Sequence, residues 1–300
     1  MSMSFSELVT EYTNRLDEIV CQQALTTDLN INRDYLGDLT GAGQIKVAKI
    51  AMSGLADHTR GGGFTEGDAS LTWETLNLTY DRDREFNIDV MDDDEQMRIV
   101  TARLMGEFAR TKVVPEVDAI RFAKMAAKAG GTATAATYTT GDAALDAVLL
   151  AEEFMQDYGS ALQDCVFYCS PSMKTLLRKS AQDSFQLRPG EAPNTNFQAF
   201  DEMRIVTVPA VRFYTGIELL DGKTTGETDG GYAKAESGKD INFMIVNPDS
   251  VNAIVKHETL RYFAPDVNQA DDAHKWQYRI YHDLFVLDNK VNGIYLSNKA

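Results

Sequence analysis

Several residue patterns in the sequence could carry chemistry, and a phosphate-binding loop is the first to test. Gly222-Lys223-Thr224 resembles the end of such a loop, in which backbone amides and a lysine hold phosphate groups. The motif needs a glycine five residues before its Gly-Lys pair, and that position is Ile217. No apolar helix follows either, so we interpret these residues as part of a surface loop.

Cysteine, serine and histidine patterns give no stronger indication of a site. Cys165 and Cys169 would share one face of a strand, but zinc sites use Cys-x-x-Cys in pairs, so both are expected in the core. Ser170 lacks the glycines of a nucleophile elbow and is expected to cap a helix at Pro171. Four scattered histidines without His-Glu-x-x-His spacing are expected to be structural: His58, His257, His274 and His282.

Two further patterns have simple structural interpretations. Asp92–Glu95 could chelate a cation, but carboxylates are also favoured on the first turn of a helix. Gly61-Gly62-Gly63 lacks the strand-to-helix context of a dinucleotide site. We therefore expect no catalytic, cofactor-binding or metal-binding residues and no cofactor, and a function based on shape and contact.

The bulk composition excludes several classes of partner. Twenty-nine basic against 45 acidic residues give a net charge of −16, which argues against a nucleic-acid-binding face and an anionic membrane surface. Three cysteines are too few for a disulfide framework. The first residues lack the basic and apolar regions of a signal peptide, and no stretch approaches 18 uncharged apolar residues.

The element that organises the rest is a long helix predicted from Asp92 to Ala129. Its apolar positions follow spacings of three and four, except for a slip of five between Phe108 and Val113. Pro115 lies just after this slip and is expected to kink the helix, and Gly130-Gly131 is expected to cap it. At 1.5 Å per residue the helix would span roughly 55 Å. An extended subunit is therefore expected.

A hairpin arm is predicted before this helix. Gln44–Met52 and the Leu71–Tyr80 run alternate with period two around a glycine-rich tip, and a charged turn, Asp81–Glu85, leads on to Phe86. Nothing adjacent in sequence could bury both faces, so the arm is expected on another chain, with the 81–85 charges pairing across chains. Residues 4–27 fit a helix, and 28–43 an arm.

The remaining residues predict a small α/β domain followed by returning strands. A helix opens at Gly141 and ends near Gly159, with Leu149 among its inward residues. Residues 181–201 are predicted as a loop, and a short helix is predicted over Asn247–Val255. Strands are predicted at 165–169, 204–208, 212–220, 241–246, 257–263, 276–287 and 291–296.

This order of elements resembles the major capsid protein of tailed bacteriophages, the family with the Hong Kong 97 fold. The likeness covers roughly residues 40–298 and is greatest at Thr72–Asp89, Arg110–Asp118, Tyr168–Pro171, Gln277–Asp283 and Val286–Lys290. The resemblance implies an α+β fold with five parts. They are an N-terminal arm (1–43), an extended loop (44–81), a spine helix with the first part of a peripheral domain (82–131), an axial domain (132–255) and the rest of the peripheral domain (256–300).

The resemblance implies a virion protein, made in the host bacterial cytoplasm, that self-assembles from pentamers and hexamers into an icosahedral head. Implied partners are packaged double-stranded DNA, enclosed without sequence-specific binding, a portal and decoration proteins. Forty N-terminal residues are too few for the scaffolding segment of some members, so a separate scaffolding protein is expected. Some members cross-link a loop lysine, but no lysine lies between Lys49 and Lys112. Alternatives are an encapsulin-type shell enclosing proteins and a soluble α/β enzyme.

Overall fold

The computed structural model describes residues 24–30, 44–58, 66–91, 99–184, 199–200 and 203–300. The predictions on Gly61-Gly62-Gly63, on the Asp92–Glu95 run and on most of the N-terminal helix and arm lie outside these residues. The helices are α1 (Ile99–Phe108), α2 (Val114–Lys128), α3 (Gly141–Asp157) and α4 (Pro171–Ser184). The strands are β1 (Gln44–Met52), β2 (Ala69–Asn77), β3 (Tyr80–Asp89), β4 (Gly131–Thr132), β5 (Val166–Cys169), β6 (Ala199–Phe200), β7 (Met203–Thr207), β8 (Ile217–Leu220), β9 (Gly231–Lys234), β10 (Ile241–Val246), β11 (Val251–Phe263), β12 (Ala273–Val286) and β13 (Ile294–Asn298).

The larger core forms around a six-stranded mixed sheet in the order β4-β13-β10-β5-β7-β6. Every residue of its central strands β5 and β10 is buried, as expected for apolar runs covered on both faces. Because side chains alternate along a strand, Val166 and Tyr168 join one apolar cluster while Phe167 and Cys169 join the other. The sheet therefore has two dry faces.

Helices cover both faces of this sheet. On one face, α3 buries Ala144, Val148, Ala151 and Met155, at helical spacing, and α4 adds Met173 and Leu177. On the other face, α2 packs Phe122 edge-on against Tyr168, with ring centroids 5.2 Å apart. Leu149, predicted to point inward on α3, is 47% exposed, because the buried row of α3 follows 144, 148, 151 and 155.

A second sheet of three antiparallel strands, β11-β12-β3, packs against the first half of the long helix. Met105, Ala109 and Val113 form an apolar cluster with Leu260, Tyr278 and Ile280 from the two long strands. Residues of β3 alternate between half-buried and exposed, so only one face of this part of the sheet is covered.

The slip of five in the helix pattern corresponds to a π-helical turn over Ala109–Val113. The amide of Val114 donates to the carbonyl of Ala109, five residues back, which widens the turn by one residue. Ala109 and Val113 consequently both face the core. Pro115, which has no amide hydrogen to donate, is the second residue of α2 and follows this turn. The slip thus marks a change of helix geometry.

The ends of several predicted elements were wrong. Of the residues predicted as a helix over 4–27, the described ones, 24–27, form a turn into a short 3₁₀ segment. Leu29, predicted on an arm, is 1% exposed in the core. Only Pro248–Ser250 is helical in the predicted 247–255 helix, because the β-branched residues Val251 and Ile254 already belong to β11. Of the predicted 181–201 loop, 181–184 continue α4 and 199–200 form β6; of the predicted 212–220 strand, only 217–220 is a strand.

The glycine cap predicted after the long helix is a close-packing site. The helix ends at Ala129, whose backbone is extended, without a left-handed glycine. A Cβ on Gly130 would come within 2.7 Å of the backbone at Asn292, and one on Gly131 within 2.6 Å of the Phe154 ring. The predicted end of α3 is confirmed: Gly159 has φ +77° and its amide donates to Gln156.

The five-part division of the chain stays a prediction. Strand pairing supplies three relevant facts. The predicted arm strands β1 and β2 pair with each other. Strand β12, which lies in the C-terminal part of the chain, returns to pair with β3. Residues 294–298, grouped with the second part of the peripheral domain, pair instead with β10 of the six-stranded sheet.

Candidate assembly surfaces

Strands β1 and β2 form a two-stranded ribbon that is a separate sheet. Pairing runs from Gln44 opposite Asn77 to Met52 opposite Ala69. Beyond it, the amide of Ser53 donates to the carbonyl of Asp68 at 2.9 Å, which holds the two sides together. Met52 is 76% exposed and Leu55 is fully exposed. A two-stranded ribbon is marginally stable alone in water, so a surface on another molecule would stabilise this arm.

The root of the arm is held by a buried carboxylate. Asp283 on β12 accepts hydrogen bonds from the amide (3.0 Å) and hydroxyl (2.6 Å) of Thr79, in the two-residue link between β2 and β3. Lys124 on α2 lies 3.1 Å from the other carboxylate oxygen, and the Asp283 side chain is fully buried. The preceding residue, Leu78, packs with Ile254. The arm therefore emerges from a fixed base.

The charges of Asp81–Glu85 form part of β3, and the predicted turn at this position was wrong. The prediction that these charges pair across chains was also wrong for three of them, which find partners in the same chain. Asp81 pairs with Arg279, Arg82 with Glu116 at 2.7 Å and Glu85 with Lys275 at 2.8 Å. Opposite charges on neighbouring strands favour a continued ladder, so β3 runs through these residues, and the break between β2 and β3 comes earlier, at Leu78-Thr79.

Arg82 connects three separate elements. Besides Glu116 on α2, it donates to the carbonyls of Leu220 and Gly231, at 3.0 and 3.1 Å, on the β8–β9 hairpin. A cleft of about 610 Å³ lies beside it, between β3, the π-helical turn and this hairpin. Its charged lining includes both signs: Asp83, Glu116 and Asp229, and Arg84, Lys112 and Lys223. The acidic and basic side chains of the lining are equal in number, so its charge alone favours neither a phosphate nor a cation.

A second buried network attaches the N-terminal segment to α2. Asp118, fully buried, accepts from the hydroxyl of Thr26 at 2.7 Å and the amide of Leu25 at 3.2 Å. Arg121, one turn later, donates to the carbonyl of Thr26, and Arg212 lies 3.2 Å from Asp118. Burial raises the pKa of Asp118, while these donors and the two guanidinium groups oppose the rise.

The sequence candidates for chemistry fall into two regions: Cys165, Cys169 and Ser170 lie in or beside β5, and Gly222 and Lys223 line the cleft beside Arg82 together with His282. Both cysteines are buried in one cluster, and burial raises the pKa of Cys165 to about 11 and of Cys169 to about 12, so they stay as thiols. Ser170 accepts from the amide of Met173, which confirms the helix cap. Asp221 accepts from the amides of Lys223 and Thr224, so the Gly222-Lys223-Thr224 segment forms an exposed local turn.

The histidines also lie in different places. His58 is exposed, and the ring of His274 shares a hydrogen bond with Tyr262. His257 lies on β11. His282 is buried, 1% exposed, beside Tyr80, and burial lowers its pKa to about 4. Among the described residues no three metal-ligating side chains cluster, and that the chain has no catalytic, cofactor or metal site stays a prediction.

The residues that hold the arm and the N-terminal segment were missed in the sequence. Asp118 and Arg121 occupy the inward side of α2 among Val117 and Phe122. Polar residues within an apolar helical row are a signal of a buried pair, because an unpartnered charge there would be costly. Nothing in the sequence pairs Asp283 with Thr79, since 204 residues separate them.

No protein-family model and no curated protein matches the chain. Solved structures do match it: Mycobacterium phage Che8 has a TM-score of 0.57 at 15% identity, covering 92% of this chain and 91% of that one. The capsid of the cyanophage P-SCSP1u gives 0.60 at 15%, covering 87% and 85%. A virus-like particle from Pyrococcus furiosus gives 0.58 at 10%, covering 97% and 99%. These likenesses confirm the expected Hong Kong 97-like α+β fold.

Among the described helices, none combines the length and the apolar character that crossing a bilayer requires.

Proposed function

We propose that this chain is the major capsid protein of a tailed bacteriophage, whose copies assemble into an icosahedral head around double-stranded DNA. The observation that carries the proposal is a shared fold over nearly the whole length of both chains, with capsid structures of the cyanophage P-SCSP1u and of bacteriophage PhiM1 among the matches. The role is structural, which agrees with the structural roles of several candidate chemical residues: Cys165 and Cys169 are buried in the core, and Ser170 caps a helix. The protein would be part of the virion.

The geometry supports assembly in a specific way. The arm of β1 and β2 presents its far end to solvent while its root is held by Asp283 and Lys124. An exposed ribbon on a rigid base can lie on a neighbouring subunit without loss of the subunit's own fold. In a symmetric shell each such contact is repeated in every copy, so weak contacts add up.

Self-assembly is the partner relation that the fold supports best. We further propose a scaffolding protein, a portal and decoration proteins as partners during assembly. The DNA would be enclosed without sequence-specific contacts, since a subunit with a net charge of −16 repels phosphates. The five-part division into N-terminal arm, extended loop, spine helix, axial domain and peripheral domain is part of this proposal.

A second candidate is an encapsulin-type shell, which would enclose proteins in place of DNA. The observation that favours it is the match to the virus-like particle from Pyrococcus furiosus, which covers 97% of this chain and 99% of that one. Both candidates require a closed shell of many copies. They differ in what the shell contains.

Expression of the chain in bacteria, followed by negative-stain electron microscopy, tests both candidates. Closed shells, or tubes and rings of capsomers, are the expected result. Mass spectrometry of nuclease-treated particles then separates the candidates, because one protein retained inside every particle would favour the encapsulin alternative. A purified chain that stays monomeric at high concentration, with and without candidate scaffolding proteins, would contradict both.

A further inference from the structure

Helices α3 and α4, which cover the same face of the six-stranded sheet, carry opposite charges. Helix α3 contains five carboxylates and no basic residue, and its exposed side includes Asp146, Glu153 and Asp157. Helix α4 contains Lys174, Arg178 and Lys179 in its first nine residues and its one carboxylate only near the end. An acidic and a basic helix thus lie side by side in one layer.

An exposed apolar row runs along α3 on the side nearest strand β4. Leu150, Phe154 and Tyr158 follow at spacings of four, so they share one side of the helix, and Leu150 and Tyr158 are 60% and 57% exposed. The Phe154 ring contacts Tyr295 on β13, at 5.3 Å between centroids, and closely approaches Gly131 on β4. Since β4 is the terminal strand of the sheet, this row lies at one edge of the domain.

Two of the three basic residues of α4, Lys174 and Arg178, lie at the opposite edge, whereas Lys179 follows Arg178 by one residue and points to a different side of the helix. The side of α4 that faces α3 is marked by Ser180, whose hydroxyl donates to Asp142 at 3.1 Å. Lys174 points the other way, because its ammonium group donates to the hydroxyl of Thr207 on β7, beside the terminal strand β6. Arg178 follows Lys174 by four residues and shares its side. On α3, Asp146 precedes Leu150 by four residues and Glu153 and Asp157 follow it by three and seven, so these carboxylates lie beside the apolar row. The layer therefore has an acidic edge with an apolar row and a basic edge.

We propose that the acidic edge of one copy, formed by Leu150, Phe154 and Tyr158 with Asp146, Glu153 and Asp157, packs against the Lys174–Arg178 edge of the next copy. This inference rests on the proposed function and names the surfaces by which copies join. The occupant is a second copy because the complementary charge is carried by the chain itself. Two acidic edges facing each other would repel, which excludes a symmetric pairing of this edge.

The contact has the composition of a specific interface. Apolar side chains would lie at its centre and charges at its rim, and the aliphatic stems of Lys174 and Arg178 can cover the apolar row. Contact between two different edges is head-to-tail. Such contacts close into rings when the rotation between copies closes, which gives pentamers and hexamers from one pair of surfaces.

Charge reversal at each edge tests the proposal. One variant carries Asp146→Lys, Glu153→Lys and Asp157→Lys, another carries Lys174→Glu and Arg178→Glu, and a third carries all five changes. The first two should raise the concentration needed for ring or shell formation by at least about tenfold, because like charges then meet. The third should restore assembly, since both edges are reversed together. Light scattering and negative-stain microscopy at 0.15 M salt give the readout.

Matched controls separate the contact from net charge and from folding. Lys128→Glu with Lys179→Glu changes the net charge as much as the basic-edge variant, at exposed positions away from that edge, and should assemble normally. Leu150→Ser should impair assembly. Leu149→Ser changes the residue just before it, which is exposed but does not belong to the apolar row, and should not impair assembly. Thermal unfolding of each free subunit identifies any variant that fails to fold.

The outcomes distinguish this inference from the proposed function. If the wild-type chain forms shells and both edge variants also do so at the same concentration, the inference is wrong and the proposed function stands. The inference would also be overturned if the variant with all five charge reversals failed to assemble although its free subunit unfolds at the wild-type temperature. A wild-type chain that never assembles would count against the proposed function itself.

Discussion

The hairpin arm and the six-stranded sheet differ in what completes them. In the sheet, strands β5 and β10 are buried on both faces by helices of the same chain. In the arm, strands β1 and β2 pair with each other, and the described residues at its far end, 52–58 and 66–70, are exposed. The sheet can therefore be stable in a single subunit, whereas the far end of the arm has nothing to pack against within the described chain.

The contrast teaches that folding and assembly are carried by different residues. Buried side chains such as Phe122 contribute to the stability of the free subunit, and their effects reach assembly only through the fold. Residues of the arm tip should contribute to assembly and little to folding. The root of the arm, with Asp283 and Lys124, lies between these cases because it belongs to the subunit core and directs the arm.

Shortening the arm should have the largest effect. Replacing Gly54–Gly67 by Asn-Gly would close the ribbon between Ser53 and Asp68, which are already hydrogen-bonded, with a tight hairpin turn. Shells should be lost, while the free energy of unfolding of the free subunit changes by less than about 0.5 kcal/mol. Microscopy and urea titration measure the two effects. A Gly/Ser segment of the original length is the control, and normal shells from the short variant would refute the role of the tip.

Phe122→Ala should show the opposite behaviour. The ring is fully buried between Tyr168 and Phe213, with centroids 5.2 and 5.0 Å away. Its removal should lower the free energy of unfolding by about 3–5 kcal/mol, through lost contacts and a cavity. Leu55→Ala, at a fully exposed position, should change it by less than about 0.5 kcal/mol. Equal urea midpoints for the two variants would contradict the division between core and arm.

Acid should destabilise the subunit through His282. Burial lowers the pKa of His282 to about 4, against about 6.5 in an unfolded chain. As pH falls below 6.5 the unfolded chain takes up a proton that the folded His282 rejects until about pH 4. The contribution of His282 to stability should therefore fall across this window by roughly 3 kcal/mol and stay constant below it. Unfolding curves of His282→Gln should lack most of this slope, and an unchanged slope would show that other groups cause it.

Asp283→Asn should lower stability less than Phe122→Ala does and should test the role of the arm root. The change leaves Lys124 without its ion pair and should cost roughly 2–3 kcal/mol, since Lys124 is only partly buried. Asp81→Asn, which breaks an exposed pair with Arg279, should cost less than about 1 kcal/mol. If Asp283→Asn shells form with normal yield and size, the root does not direct the arm.

Local patterns were sufficient to predict much of this fold. The alternation in Gln44–Met52 and the apolar run Ile241–Val246 fall on strands with those bounds, because each strand is determined by its own side chains. The slip of five before Pro115 indicated the place of the π-helical turn without its geometry. The order of elements, with the resemblance that it carries, predicted the fold.

Long-range partners could not be predicted in the same way. Asp81–Glu85 was expected as a turn because all five of its residues are charged. It is a strand because it pairs with β12 and because Arg82 has an ion-pair partner on α2. The helix predicted over Asn247–Val255 has a proper start, but pairing with β12 overrides it after three residues. In both cases, tertiary contacts outweigh local preference.

The most direct test of the central claim is where the arm tip lies in an assembled particle. A photo-activated cross-linking residue placed at Leu55, which is fully exposed in the subunit, reports its neighbours on irradiation. The account predicts cross-linked dimers from assembled shells, with the second attachment point on another copy, and none from free subunits at the same concentration. Cross-links confined to the same chain in assembled shells would contradict it.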